Sequence, residues 1–159
     1  MLFRSEGPRW RDGHLWFSDF YRHGIFRVDE NGSEELILEV PTQPSGLGWL
    51  PNGDLLFVSM LDRTLKRMDE AGEVTVHADL SHIAGGPCND MVVGPNGVAY
   101  VGNFGFEEGE KFAQATLAIV DQDGTARPGP DCLDFPNGTV ISPDGKQLVL
   151  ARKSRGLGL

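Results

Sequence analysis

Polar and apolar positions run along this chain in short blocks that repeat. Gly85–Phe104 (GGPCNDMVVGPNGVAYVGNF) shows the unit: a polar pair, Asn89–Asp90, a short apolar run, a Pro-Asn-Gly turn and a second apolar run. Ser45–Ser59 (SGLGWLPNGDLLFVS) and Asn137–Ala151 (NGTVISPDGKQLVLA) keep the same order, and Glu6–Asp19 (EGPRWRDGHLWFSD) is a looser copy. Brief apolar runs bounded by Gly, Pro and Asn predict strands, and no segment has the periodicity of a helix.

The turn glycines Gly13, Gly53, Gly97 and Gly145 are separated by 40, 44 and 48 residues, the length of a four-stranded propeller blade. Between them the order of elements repeats. The first unit predicts strands at His14–Asp19 and Gly24–Val28, a hairpin turn at Asp29–Gly32 and a closing strand at Glu35–Val40. The second predicts Asp54–Ser59, Thr64–Met68, the turn Asp69–Gly72 and Glu73–Ala78. The third predicts Gly97–Gly102, Thr116–Val120, the turn Asp121–Gly124 and a weak strand near Thr125, with an acidic insertion at Phe104–Ala115. The fourth has Gly138–Ser142 and Lys146–Ala151 and then the basic, glycine-rich RKSRGLGL. The expected fold class is therefore all-β, a β-propeller of about three and a half four-stranded blades over residues 1–151: blades at about 6–40, 45–80 and 89–128, an incomplete one at 137–151, and an atypical tail at 152–159. Closed propellers need at least four blades. The expectation is of a truncated chain whose unclosed sheet edges invite self-association.

Totals narrow the function. A chain of 159 residues with 40% apolar residues, 21 Gly and 10 Pro suits one turn-rich domain. A net charge of −9 argues against nucleic acid or an anionic membrane as partner. No apolar run approaches the ~18 residues of a membrane span, and the start lacks a leader-like segment, so the expected location is the cytoplasm. Cys88 and Cys132 form no C-x-x-C pair and are expected to be small buried side chains in a reducing compartment.

Counting back eight from each turn glycine gives Ser45, Asn89 and Asn137; counting back seven from Gly13 gives Glu6. Equivalent inner-strand positions of a propeller ring one mouth of its channel, so a carboxylate, two carboxamides and a hydroxyl are expected to converge there. Mixed oxygen ligands suit a hard divalent cation, Ca²⁺ or Mg²⁺, with Zn²⁺ and Mn²⁺ also compatible. Each residue has a plainer alternative: Asn137–Gly138 as a hairpin turn, Asn89–Asp90 as a turn cap, Glu6 as a surface carboxylate, Ser45 as a structural hydroxyl. For Asn137 the phase argues otherwise, because Ser142–Gly145 already supplies the turn. Glu107, Glu108 and Glu110 read as a solvated loop, His23 and His82 as side chains near turns without partners, and Asp19 and Asp62 as strand-end residues.

Glu6-Gly-Pro-Arg-Trp10 before LWFSD, Cys88-Asn-Asp90 leading into PNG, and Phe135-Pro-Asn-Gly138 leading into SPDG together resemble the SMP-30/gluconolactonase/regucalcin-like family, from about Phe3 to Ala151. The resemblance implies a six-bladed β-propeller that hydrolyses sugar lactones with one divalent metal in its channel. It implies Glu6 and Asn137 as metal ligands, Asn89 as a catalytic and substrate-binding carboxamide, and Asp90 as a supporting catalytic residue. The family's further aspartate, metal ligand and general base, would fall one repeat beyond Asn137, past residue 159.

Two functions remain open. One is metal-dependent hydrolysis of a sugar lactone by the complete protein, with this chain a weakly active or inactive part. The other is a non-catalytic propeller, NHL-like or strictosidine-synthase-like, that binds a ligand or protein through its channel face.

Overall fold

The computed structural model describes residues 5–152, and every regular element among them is a strand. The first sheet holds β1 (Ser5–Arg11), β2 (His14–Asp19), β3 (Gly24–Asp29) and β4 (Glu34–Glu39). The second holds β5 (Pro44–Trp49), β6 (Leu55–Ser59), β7 (Thr64–Met68) and β8 (Val74–Asp79). The third holds β9 (Cys88–Val93), β10 (Ala99–Asn103), β11 (Ala118–Val120) and β12 (Ala126–Pro128), and the fourth holds β13 (Pro136–Ile141) and β14 (Leu148–Arg152). Strands pair antiparallel and in chain order within each sheet. This is the expected propeller architecture: three four-stranded sheets and one two-stranded sheet. Arg152 ends β14 instead of opening the tail, and 153–159 lie outside the described residues.

Local chemistry explains the repetition. Asp29, Asp69 and Asp121 each accept the amide of the glycine three residues on, at 3.1, 3.0 and 2.9 Å, and all three glycines have positive φ. The side chains of Asp29 and Asp69 add Asx bonds, from Ser33 N to Asp29 Oδ1 and from Glu73 N to Asp69 Oδ1, both 2.8 Å. The inner hairpins differ. Asp12 and Gly13 both have positive φ and form a two-residue turn between Arg11 and His14. The loops ending at Gly53, Gly97 and Gly145 are longer, each closed by a bond from the glycine amide to a carbonyl three residues back.

Adjacent sheets pack face to face. Between the first and second, Ile25, Val40, Leu47 and Phe57 are buried, with Trp16 meeting Trp49 edge-on at 5.4 Å. Between the second and third, Leu56, Val58, Leu65, Met91, Val101 and Val120 form the larger core. Toward the inner strands the layers come closer than side chains allow. A Cβ added to Gly46 on β5 would lie 2.3 Å from Met91 N on β9. A Cβ on Gly7 of β1 would sit 3.2 Å from Gly46 Cα and Leu47 N of β5. The inner strands thus stack backbone on backbone.

Because Met91 N cannot move without shifting β9, Gly46→Ala should cost about 3 kcal/mol. Urea unfolding followed by circular dichroism checks this; an unchanged midpoint would mean that the two strands are free to part.

Candidate functional site

Each innermost strand carries the same irregularity. The β1–β2 register slips between Glu6 and Arg9, β5–β6 between Pro44 and Leu47, β9–β10 between Cys88 and Met91, and β13–β14 between Pro136 and Thr139. In every case two residues of the inner strand face one of its neighbour, which is a β-bulge. The bulged pairs are Gly7–Pro8, Ser45–Gly46, Asn89–Asp90 and Asn137–Gly138. Bulges re-aim side chains and interrupt pairing, so they mark where an inner strand can present polar groups.

The bulge also corrects the phase. Ser45, Asn89 and Asn137 share the first bulge position, but its counterpart on β1 is Gly7. Glu6 stands one residue earlier, level with Pro44, Cys88 and Pro136, and its Cα pairs with Ser18. The cause is the tight turn at Asp12–Gly13, which shortens the first hairpin, so that a count from its glycine lands one position early.

Polar contacts knit these strands together. Ser45 Oγ, fully buried, donates to Asn89 Oδ1 at 3.3 Å. The Ser18 hydroxyl lies between two inner-strand carbonyls, 2.5 Å from Ser45 O and 3.0 Å from Glu6 O. Arg9 Nη2 donates to Met91 O at 2.6 Å and reaches Asp90 Oδ1 at 3.5 Å. Thr139 N donates to the other Asp90 oxygen at 3.3 Å. Phe135, with positive φ, stacks on Phe104 with centroids 4.5 Å apart and fixes the entry to β13. Asn89 and Asp90 are buried, while Glu6 and Asn137 are half-buried. Asn137 therefore sits inside a strand, and the turn of that hairpin is at 142–145, as its phase requires.

Burial dominates the electrostatics. It pushes the Asp90 carboxyl above the usual aspartate range, although the Arg9 charge and the backbone amides of Met91 and Thr139 pull it down. The buried Cys88 thiol is pushed up to about 12 by desolvation and is no nucleophile. Cys132 is exposed, contrary to expectation, and the neighbouring Asp131 charge raises it as well.

Other sequence candidates lie elsewhere. Glu107 pairs with Arg63 of the second sheet at 3.7 Å, and the acidic insertion is otherwise an exposed loop. His23, expected to lack a partner, has Nδ1 at 3.0 Å from Pro41 O. Asp19 caps the end of β2, taking the amides of Tyr21 and Arg22 at 3.0 Å, and Asp62 pairs with Lys66 at 2.8 Å. Sequence reasoning missed Arg9, Ser18 and Thr139. Arg9 was visible only as a letter within EGPRW, and its partner Asp90 is 81 residues away.

The sequence profile of the SMP-30/gluconolactonase/LRE-like region matches residues 4–153. The chain belongs to that family. Comparison with curated proteins gives no match. Among solved structures, a gluconolactonase from Xanthomonas campestris superposes with a TM-score of 0.79 at 21% identity, covering 98% of this chain and 56% of that one. The calcium-binding protein regucalcin of Agrobacterium tumefaciens gives 0.78 at 23%, covering 94% and 50%. A virginiamycin B lyase from Staphylococcus aureus gives 0.66 at 19%, covering 89% and 46%. These likenesses show the fold, which hosts more than one chemistry. The chain spans about half the length of each.

Membership in the SMP-30/gluconolactonase group raises the question of a metal. Glu6 and Asn137 carry hard oxygen donors of the type a divalent cation takes. Among the described residues no three His, Cys, Asp or Glu side chains gather into a ligand group. The chemistry of these two donors is compatible with such a cation. No described helix is long and apolar enough to cross a membrane.

A carboxyl raised by folding favours the folded state fully below its unfolded value, and that contribution is lost as pH rises through the folded value. Asp90 should therefore weaken the fold progressively above pH ~4. Asp90→Asn keeps an acceptor for Thr139 N and removes the charge, so its melting temperature relative to wild type should climb between pH 4 and 7. A constant difference across that range would contradict the assignment.

Proposed function

We propose that this chain carries part of the site of a metal-dependent sugar-lactone hydrolase. One observation carries the reading: a family profile spans residues 4–153, and the strands bearing Glu6, Asn89 and Asn137 bulge at one common level. The Xanthomonas relative is a gluconolactonase, and regucalcin is a calcium-binding protein.

In this reading Glu6 and Asn137 hold a divalent cation, Ca²⁺ or Zn²⁺, through one carboxylate and one carboxamide oxygen. Held by these two residues, such a cation would supply Lewis-acid chemistry to the lactone carbonyl and the attacking water. Asn89 would orient the substrate: the Ser45 hydroxyl occupies Oδ1 at 3.3 Å, which leaves the amide N–H groups to donate to a lactone oxygen. Asp90 supports the constellation through Thr139 and Arg9, because one of its oxygens takes the Thr139 amide and the other faces the Arg9 guanidinium. The base implied by the family is an aspartate one repeat beyond Asn137, past residue 159. The non-catalytic reading, a propeller that binds a partner through its channel face, needs no oxygen ligands on these strands.

Calorimetric titration of the chain with Ca²⁺ and Zn²⁺ is expected to show one site, weakened at least tenfold by Glu6→Gln and by Asn137→Ala. Unchanged affinity in both variants would favour the non-catalytic reading. Gluconolactone hydrolysis, followed by acid release, should fall with the same two substitutions.

A further inference from the structure

We propose that Arg9 is a positioning residue: through Asp90, its guanidinium ties together the three inner strands that carry Glu6, Asn89 and Asn137 and holds their site ends in register. The inference rests on the lactonase reading for its purpose, but its geometry stands alone. Arg9 lies on β1, three residues after Glu6. Its Nη2 reaches past β5 to Met91 O at 2.6 Å and Asp90 Oδ1 at 3.5 Å on β9, where β1 and β9 come into contact. Asp90 adjoins Asn89, and its second oxygen takes the amide of Thr139, two residues after Asn137 on β13, at 3.3 Å. One guanidinium and one carboxyl thus connect three strands, and every contact falls within three residues of a candidate site side chain.

Backbone stacking at Gly7 and Gly46 sets β1, β5 and β9 side by side, whereas the step from β9 to β13 has open space beside it. Beside the contact lies an open cavity of about 420 Å³ between β9 and β13, walled by Arg9, Val92, Val93, Thr139, Ile141 and Ser142. Apolar side chains leave that space unfilled, and Arg9 and Thr139, the two ends of the polar link, stand on its wall. The link is also a poor source of stability. Removing a carboxylate from water commonly costs as much as a neighbouring cation returns, and burial outweighs Arg9 at Asp90. A pair that adds little stability yet joins three strands at the site fits a geometric role, with the site's side chains depending on its reach.

The double variant Arg9→Met with Asp90→Asn tests this, because asparagine keeps the acceptor for Thr139 N while the guanidinium is lost. The expected result is an unchanged or higher melting temperature together with a 10–100-fold loss of Ca²⁺ affinity, the usual effect of losing an outer-shell support. In metal-free protein, the side-chain amide NMR signals of Asn89 and Asn137 should be single in wild type and broadened or doubled in the variant. Arg9→Lys keeps the charge, but its shorter side chain ends short of the place where Nη2 meets Met91 O and Asp90 Oδ1, so it should show the same signals in milder form, and it serves if the double variant fails to fold. Amide signals identical to wild type in the folded variants would overturn the inference. So would a fall in melting temperature with those signals unchanged, which marks ordinary structural support. A wild-type chain that binds no Ca²⁺ would defeat the metal-site reading, and the amide signals would still decide the role of Arg9.

Discussion

The inner strands of this propeller meet at backbone distance, and the rest of the structure depends on that closeness. Sheets that pack through side chains stand ~10 Å apart. At Gly46 and Gly7 the gap closes until a single methyl would strike the next strand. The sheets therefore fan out from a tight inner edge, with Leu56, Val58 and Val101 filling the widening space behind it. Bulges at the same level of β1, β5, β9 and β13 loosen the ladders where the strands crowd. Crowding and bulging together turn polar residues from separate repeats toward one region.

That region sets burial against charge. Asn89 and Ser45 are neutral and satisfy each other, so their burial is cheap. Asp90 is ionisable and nearly enclosed, and its neighbours only partly compensate. Glu6 and Asn137 stay half-exposed. Exposure thus rises from the buried amide of Asn89 to the half-exposed carboxylate of Glu6.

Most of the fold was legible in the sequence because its information is local. The Asp-x-x-Gly turns at Asp29, Asp69 and Asp121 and the inner hairpin glycines report bonds closed within a few residues, and they fixed both the strands and the repeat length. The family was legible in motif order. What escaped was long-range or geometric. The phase of Glu6 depended on the type of turn at Asp12–Gly13, which spacing alone does not reveal. The contact between Arg9 and Asp90 joins residues 81 apart, and no local pattern announces it. Cys132 looked like a buried apolar residue, but its positive φ places it on a loop surface.

Strand order carries one more consequence. Each sheet pairs consecutive strands through short hairpins, so its ladders close at low loop entropy and can form one after another as the chain is made. The contacts between sheets have no such advantage: Ser18 to Ser45 spans 27 residues, Ser45 to Asn89 spans 44 and Thr139 to Asp90 spans 49. Folding is thus divided into fast local steps and slower docking steps, and the candidate site belongs wholly to the second. A lesion in an outer hairpin acts on one sheet, whereas a lesion at Gly46 acts on the step that lines the sheets up.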